Sequence, residues 1–255
     1  MFIDSHCHLD FPCFTVQLDA LLSQLQEKQI IKVIIPATQR SGWHAIQALC
    51  AEHAPCYYAL GIHPHFIDSL QEDDLLCLQQ LLNHSDKKQV AVGEIGLDKY
   101  ASADMELQES IFIKQLQLAQ RFNLPIILHV VKKQSRVLEI LKKQHFTLGG
   151  VYHAFSGSYE VAMEFIKLGF KIGIGGVITY PNSTKTKQTI RRLPIESLLL
   201  ETDAPDMPLY LQQDGFNSPL NIPIIFESLC LLRKESKSCL AAQIIKNTET
   251  IFLKE

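Results

Sequence analysis

Short β-branched or apolar runs alternate along the chain with longer stretches in which apolar residues recur at helical spacing. The runs Phe2–His6, Ile31–Pro36, Tyr57–Ile62, Gln89–Gly93, Pro125–His129, Gly150–His153, Lys171–Gly175 and Ser197–Glu201 predict eight strands. Between them the three- and four-residue spacing of an amphipathic helix recurs, as in Leu18, Leu21, Leu22 and Leu25, and again in Phe112, Leu116 and Ala119 after the polar start at 102–109. Strands joined by helical crossovers pair in parallel with right-handed connections. Eight such units in 255 residues is the arithmetic of a TIM-type (β/α)8 barrel, an α/β fold, with a doubly wound open sheet as the alternative. No Pro-, Ser- or Gly-rich linker interrupts the alternation, so residues 1–255 read as a single barrel domain. The last stretch, Cys239–Phe252, reads as an extra C-terminal helix that closes or caps the barrel.

A hydrophobic fraction of 47% with 20% charged residues is that of an ordinary globular chain, which excludes disordered and coiled-coil classes. The formal net charge of −3 argues against holding duplex DNA by bulk electrostatics, while leaving room for a small site that takes a nucleic-acid end. MFIDSHCHLD places an acid and two histidines where a signal peptide needs a basic patch and an apolar stretch. No window approaches the roughly 18 to 20 apolar residues of a membrane span. The seven cysteines form no CxxC pair and read as reduced, mostly buried thiols of a cytoplasmic protein. The helices show no extra apolar face, so a monomer that contacts no membrane is expected.

His6-Cys7-His8 ends the first strand, and alternation points the two imidazoles the same way. The pair alone is a weak signal, since His63-Pro64-His65 repeats the spacing. It strengthens because Glu94, His129, His153 and Asp203 each follow a strongly apolar strand, on the face where TIM barrels build active sites from residues remote in sequence. Four histidines and two carboxylates without thiolate suit Mg, Mn or Zn, and the set exceeds what one tetrahedral ion needs. Two divalent ions are therefore expected, with Glu94 bridging, His6, His8 and Asp203 on one ion, and His129 and His153 on the other. Paired ions clamp the attacking and leaving oxygens of a hydrolytic displacement. Asp203 is read as ligand and as acceptor of the proton from the attacking water. His63 is read as a contact that donates to a charged phosphoryl oxygen, a turn histidine fixed by Pro64 being the alternative.

Other features allow two readings. Ser156 or Ser158 opens a helix as an anion contact or as a plain N-cap. Gly173, Gly175 and Gly176 serve phosphate binding or tight packing. Lys132, Lys133, Lys185, Lys187, Arg191 and Arg192 are basic groups on or near the active face, or a solvated surface. His44, His53, His84 and His145 receive no role.

FIDSHCHLD, GIHPH, VGEIGLD, NLPIILH, HAFSG, IGIGG and ETDAPDMP recur in order over the whole chain as in the TatD family of metal-dependent hydrolases. The runs IGGVITYPNSTKT and LPIESLLLETDAPDMP resemble most its YjjV-like branch. The resemblance implies a barrel of the amidohydrolase superfamily with two divalent ions, and the family's ligands carry over onto His6, His8, Glu94, His129, His153 and Asp203 with no position missing. One departure stands out: members usually have a polar residue and Arg soon after the strand-five histidine, whereas Val130 and Val131 precede Lys132 here. Lys offers a point charge where Arg offers a planar fork, so a phosphate contact is weakened or moved.

The resemblance implies Mg-dependent deoxyribonucleases that trim single strands from the 3′ end, and some similar proteins deacylate D-aminoacyl-tRNA. The first expectation is thus a divalent-metal hydrolase of ester bonds, acting as a phosphodiesterase or 3′–5′ deoxyribonuclease on nucleic-acid ends or small phosphoesters. The second is a D-aminoacyl-tRNA deacylase or a small-molecule ester or amide hydrolase. The third, a non-catalytic metal-binding interaction protein, is opposed by intact Asp203 and Glu94, because a structural site has no need of an open, carboxylate-rich pair of ions.

Overall fold

A computed structural model describes residues 1–84, 86–210, 212 and 215–253. Its eight strands are β1 Phe2–Asp4, β2 Ile30–Pro36, β3 Cys56–Leu60, β4 Gln89–Asp98, β5 Ile126–Val131, β6 Gly150–Tyr152, β7 Phe170–Ile174 and β8 Leu198–Leu200. They pair in parallel in the order β1 to β8. Ser5 N donates to Leu200 O at 3.0 Å, and Asp203 N donates to His6 O at 2.8 Å, which joins the last strand to the first. The helices are α1 Pro12–Thr15, α2 Leu18–Glu27, α3 Arg40–Glu52, α4 Asp74–Leu82, α5 Met105–Arg121, α6 Gln134–Lys143, α7 Tyr159–Lys167, α8 Thr184–Arg192, α9 Ile222–Cys230 and α10 Lys237–Phe252. The TIM-type barrel is therefore the observed fold.

Side-chain alternation divides the apolar residues into two cores. Ile34, Ala59, Ala91, Ile127, Val151 and Leu199, one from each of six strands, fill the barrel interior, and Ile251 and Phe252 at the end of α10 pack against them. The C-terminal helix thus plugs the barrel from below. The alternate residues, among them Val33, Tyr58, Val92, Leu128 and Ile172, face outward and bury the apolar stripes of the helices, including Trp43, Phe112, Leu116, Leu141 and Phe165.

Strand boundaries depart from the sequence expectation where side chains compete for the ladder. β1 stops at Asp4, short of His6, because the Asp4 carboxylate takes the His6 N–H at 3.2 Å. β8 stops at Leu200, because the same carboxylate takes the Thr202 N–H at 3.0 Å and the Thr202 hydroxyl at 2.6 Å. β4 instead runs five residues beyond Gly93, paired with β5 as far as Asp98 opposite Val131. Gly96 permits this: its φ is +153°, and a Cβ there would lie 1.8 Å from the His129 carbonyl oxygen.

All seven cysteines are free, but only Cys7, Cys50 and Cys56 are buried; Cys77 and Cys230 are partly exposed, and Cys13 and Cys239 are exposed, which corrects the expectation of mostly buried thiols. No helix among the described residues is long and apolar enough to cross a membrane.

Replacing Phe252 by Ala removes the plug. A loss of about 3 kcal/mol in urea unfolding is expected, as for other large buried side chains. Divalent-cation binding at the opposite end should be unchanged, which titration of the folded variant checks.

Candidate metal centre

The histidines and acids singled out above meet at the C-terminal mouth of the barrel. His6 and His8 follow β1, His63 follows β3, Glu94 lies within β4, His129 within β5, His153 immediately follows β6, and Asp203 follows β8. Glu94 is the centre of the group, with its two oxygens turned to different partners. Oε2 faces His6 Nε2 at 3.2 Å and His8 Nε2 at 3.9 Å, and Asp203 Oδ1 stands 3.2 Å and 3.7 Å from the same two nitrogens. Oε1 faces His153 Nε2 at 2.6 Å, His129 Nδ1 at 2.8 Å and His63 Nε2 at 3.5 Å. The six expected ligands are thus brought together, divided between the two sides of one carboxylate.

What lies behind each ring decides which nitrogen faces the centre as a donor of electrons. His8 Nδ1 donates to the Pro36 carbonyl at 3.1 Å, leaving its Nε2 lone pair inward. His129 Nε2 donates to Asp98 Oδ2 at 2.9 Å, leaving Nδ1 inward. His63 differs. Its Nδ1 accepts the His65 N–H at 3.1 Å, so the neutral ring carries its proton on Nε2 and points a donor at Glu94. His63, Glu94 and His129 also lie within metal-binding distance of one another.

Burial pushes the imidazoles of His6 and His63 down to about 3, which keeps them neutral and able to offer lone pairs or single protons. Burial opposes ionisation of Glu94, but His153 and the hydrogen bond from His129 outweigh it and hold the carboxylate well below its usual range. His129 is raised to about 9: burial works against the charge, and the bonds to Asp98 and Glu94 outweigh it. Burial raises Asp203 to about 7, with the His8 ring acting in the opposite sense. His6 with His8 and Asp203, and His6 with Glu94 and His153, are groups whose ligand atoms lie within 4.8 Å of one another. An all-nitrogen-and-oxygen set with so few protons among so many lone pairs fits a divalent cation.

Several residues that shape the site escaped the sequence reading. Asp98 ends β4 with its carboxylate on both His129 Nε2 and His65 Nε2, each at 2.9 Å. The pattern that marks it is alternation: Asp98 is four residues after Glu94 and shares its face. Asp4, fully buried, ties the His6 segment to the Asp203 segment through His6 N, Thr202 N and Thr202 Oγ1. Two buried glutamines on α5 act as peptide mimics. Gln108 bonds both the N–H and the C=O of Asp98, at 3.0 and 3.1 Å, and Gln115 does the same for Ile62, at 2.8 and 3.1 Å. Two turns of one helix therefore fix the strand ends beside Asp98 and His63.

Ser158, Gly173 and Gly176 each have a structural partner. Ser158 is the N-cap of α7, accepting the Val161 N–H at 3.4 Å. Gly176 is packed against Met207 and Leu209, and Gly173 against Glu201.

A family model described as TatD related DNase matches residues 3–253. The uncharacterized metal-dependent hydrolase YjjV of Escherichia coli (strain K12) is 42% identical over 252 residues, 98% of this chain and 97% of that protein. A crystal structure of YjjV, a TatD homolog from Escherichia coli K12, superposes with a TM-score of 0.97, covering 100% of this chain and 98% of that one. An uncharacterized metal-dependent hydrolase of Haemophilus influenzae is 37% identical over 260 residues, 98% of this chain and 99% of its own length. A TatD family hydrolase from Entamoeba histolytica, 22% identical, shares the fold at a TM-score of 0.87 over 98% of this chain and 97% of that one.

A cation bound only by the folded state raises its stability by RT ln(1 + [L]/Kd), about 2.7 kcal/mol at a hundredfold excess over Kd. Adding Mn to the metal-free protein should accordingly raise its melting temperature, and Glu94→Gln should abolish the rise. Differential scanning calorimetry with and without the ion checks both.

Proposed function

The chain belongs to the family of TatD-related DNases and is a metal-dependent hydrolase, and from that premise we propose that it cleaves phosphodiester bonds at the 3′ end of single-stranded DNA. The observation that carries this reading is the division of donors across Glu94, with His6, His8 and, facing the same two rings, Asp203 on one side and His129 and His153 on the other. Those residues would hold two divalent ions, Mg, Mn or Zn, with Glu94 shared between them. When bound, such ions supply the charge that activates water for attack and neutralises phosphoryl oxygens.

The chain's own groups do the rest. The Asp203 side chain, 13% exposed where that of Glu94 is 3%, is the carboxylate that water reaches, and it takes the proton of the attacking water. His63 directs Nε2–H inward and donates to the oxygen on which negative charge develops. Substrate approach is favoured along the β4–β5 rim. Lys99 N donates to Val131 O at 3.1 Å, which sets Lys99 beside Lys132 at adjacent strand ends. Both lysines are exposed, and neither forms an ion pair among the described residues. Between them and the site, Asp98 fixes the backbone of Tyr100 at 2.7 Å, and the Tyr100 side chain is 67% exposed. Two free cations at adjacent strand ends, with an exposed aromatic ring next in sequence to one of them, suit a strand that offers phosphates and an unstacked base, where duplex DNA would find little basic surface. The phosphate contact that an Arg soon after His129 would make is thus assigned to Lys99 and Lys132.

Metal-stripped protein given Mg, Mn or Zn in turn should remove 3′ nucleotides stepwise from labelled single-stranded DNA. Acyl release from D-aminoacyl-tRNA with no nucleotide release would overturn the nuclease reading. Asp203→Asn should lower turnover by roughly 10²- to 10⁴-fold, the usual range for loss of a general base, while a cation still binds at His129 and His153.

The double change Lys99→Ala and Lys132→Ala should raise KM for DNA, flatten the salt dependence of binding by a slope of about 1 to 2, and leave a small phosphodiester dye unaffected. Equal losses on DNA and dye would count against the rim.

A further inference from the structure

His129 and His8 each have an acceptor behind the ring, but His153 has none: its Nδ1 is buried without a partner. With Nε2 at 2.6 Å from Glu94 Oε1, that ring is aimed at the centre. An imidazole that gives the Nε2 lone pair to a cation keeps its proton on Nδ1, and a buried N–H without an acceptor is costly. One buried acceptor nearby is equally unpaired. Glu201 is fully buried, its Oε1 accepts the N–H of Ala154 at 2.5 Å, and its Oε2 has no partner.

The barrel is cut to hold this carboxyl. Glu201 stands two residues after Leu199 of the apolar interior layer and two before Asp203, in the position where another apolar side chain would continue the core. A Cβ at Gly173 would lie 2.2 Å from Glu201 Oε2 and 2.5 Å from its carboxyl carbon, so the absence of a side chain on β7 is what admits the acid. Ala154 itself takes a left-handed φ of +48°, a conformation disfavoured for any residue with a Cβ, at the peptide whose N–H Glu201 holds. A buried acid with one oxygen unpaired costs stability that an apolar residue there would not, so its presence calls for another use.

We propose that Glu201 is a positioning residue for His153: one carboxyl oxygen fixes the backbone that follows the imidazole through the Ala154 N–H, and the other accepts the Nδ1 proton when Nε2 gives its lone pair to a divalent cation. Nδ1 and Oε2 are not in direct contact, and we place a buried water between them. Glu201 thus does for His153 what Asp98 does for His129. This inference rests on the reading of the mouth as a metal centre and is independent of which ester is cleaved.

The test is titration of the metal-free protein with Zn by calorimetry, for the native chain, Glu201→Gln and Asp98→Asn, alongside proton and ¹⁵N imidazole spectra of the Zn-loaded forms. The native Zn-loaded protein should show His153 protonated on Nδ1, with that proton slow to exchange. Glu201→Gln should weaken binding on the His153 side of Glu94 by roughly 10- to 100-fold, shift the His153 Nδ1 proton, and leave both binding on the His6–His8–Asp203 side and the His129 Nε2 proton unchanged. Unaltered Zn affinity and an unaltered His153 signal in folded Glu201→Gln would overturn the proposal. Should that variant fail to fold, a fast-exchanging Nδ1 proton, or an Nε2–H ring, in the native Zn-loaded protein would overturn it alone. Absence of Zn binding to the native chain would instead overturn the metal reading itself.

Discussion

More lone pairs than protons converge on Glu94, and the rest of the structure is arranged to hold them there. His129 Nδ1 lies 3.0 Å from His153 Nε2, and His6 Nε2 lies 3.3 Å from His8 Nε2, all within reach of a carboxylate held in its charged form. Groups of this kind repel one another in a site shielded from water unless positive charge sits among them. A divalent cation would supply that charge. The arrangement endures because each segment is gripped from outside the cluster. The Asp4 carboxylate clamps the strand-one and strand-eight segments together, and Gln108 and Gln115 of α5 clamp those after β4 and β3.

Stability and chemistry are separated along the barrel axis. At the lower end Ile251 and Phe252 seal a layer of small and branched apolar residues, and the helices bury the outward face of every strand. Above that layer Gly173 makes room for Glu201, and above Glu201 stand the imidazoles and Asp203. Polarity therefore rises in steps of two residues along a single segment: Leu199, Glu201, Asp203. A large apolar core below allows groups above it that are individually unfavourable, which is how TIM barrels divide packing from function between their two ends.

The same periodicity accounts for what the sequence reveals and what it hides. His6, His8, Glu94, His129, His153 and Asp203 are legible because each polar residue interrupts or ends an apolar run, and a parallel barrel gathers strand ends to one face. Asp98 is hidden because Gly96 reads as a breaker, so the strand seems to stop at Gly93, whereas that glycine is what lets β4 press on the His129 carbonyl. Gln108 and Gln115 are hidden because polar residues on a helix ordinarily face water; here they replace missing backbone partners at strand ends. Glu201 is readable in retrospect, since it shares a face with Asp203, but an acid at the end of a short strand carries no mark of the cavity opened for it by Gly173 on another strand.

The contrast between His63 and His129 shows how little separates a donor from a ligand. Both rings face Glu94 Oε1 and stand 4.2 Å apart between centroids. Behind His129 is an acceptor, Asp98, so the outer nitrogen keeps a proton and the inner one can offer its lone pair to a cation. Behind His63 is a donor, the His65 N–H, so the outer nitrogen spends its lone pair and the inner one must carry the proton. His65 joins the two settings, for its backbone fixes His63 while its side chain shares Asp98 with His129. A single residue at the rim thus bears on both sides of the division between gripping a cation and donating to substrate, and that division is set by hydrogen bonds one layer out from the groups that perform it.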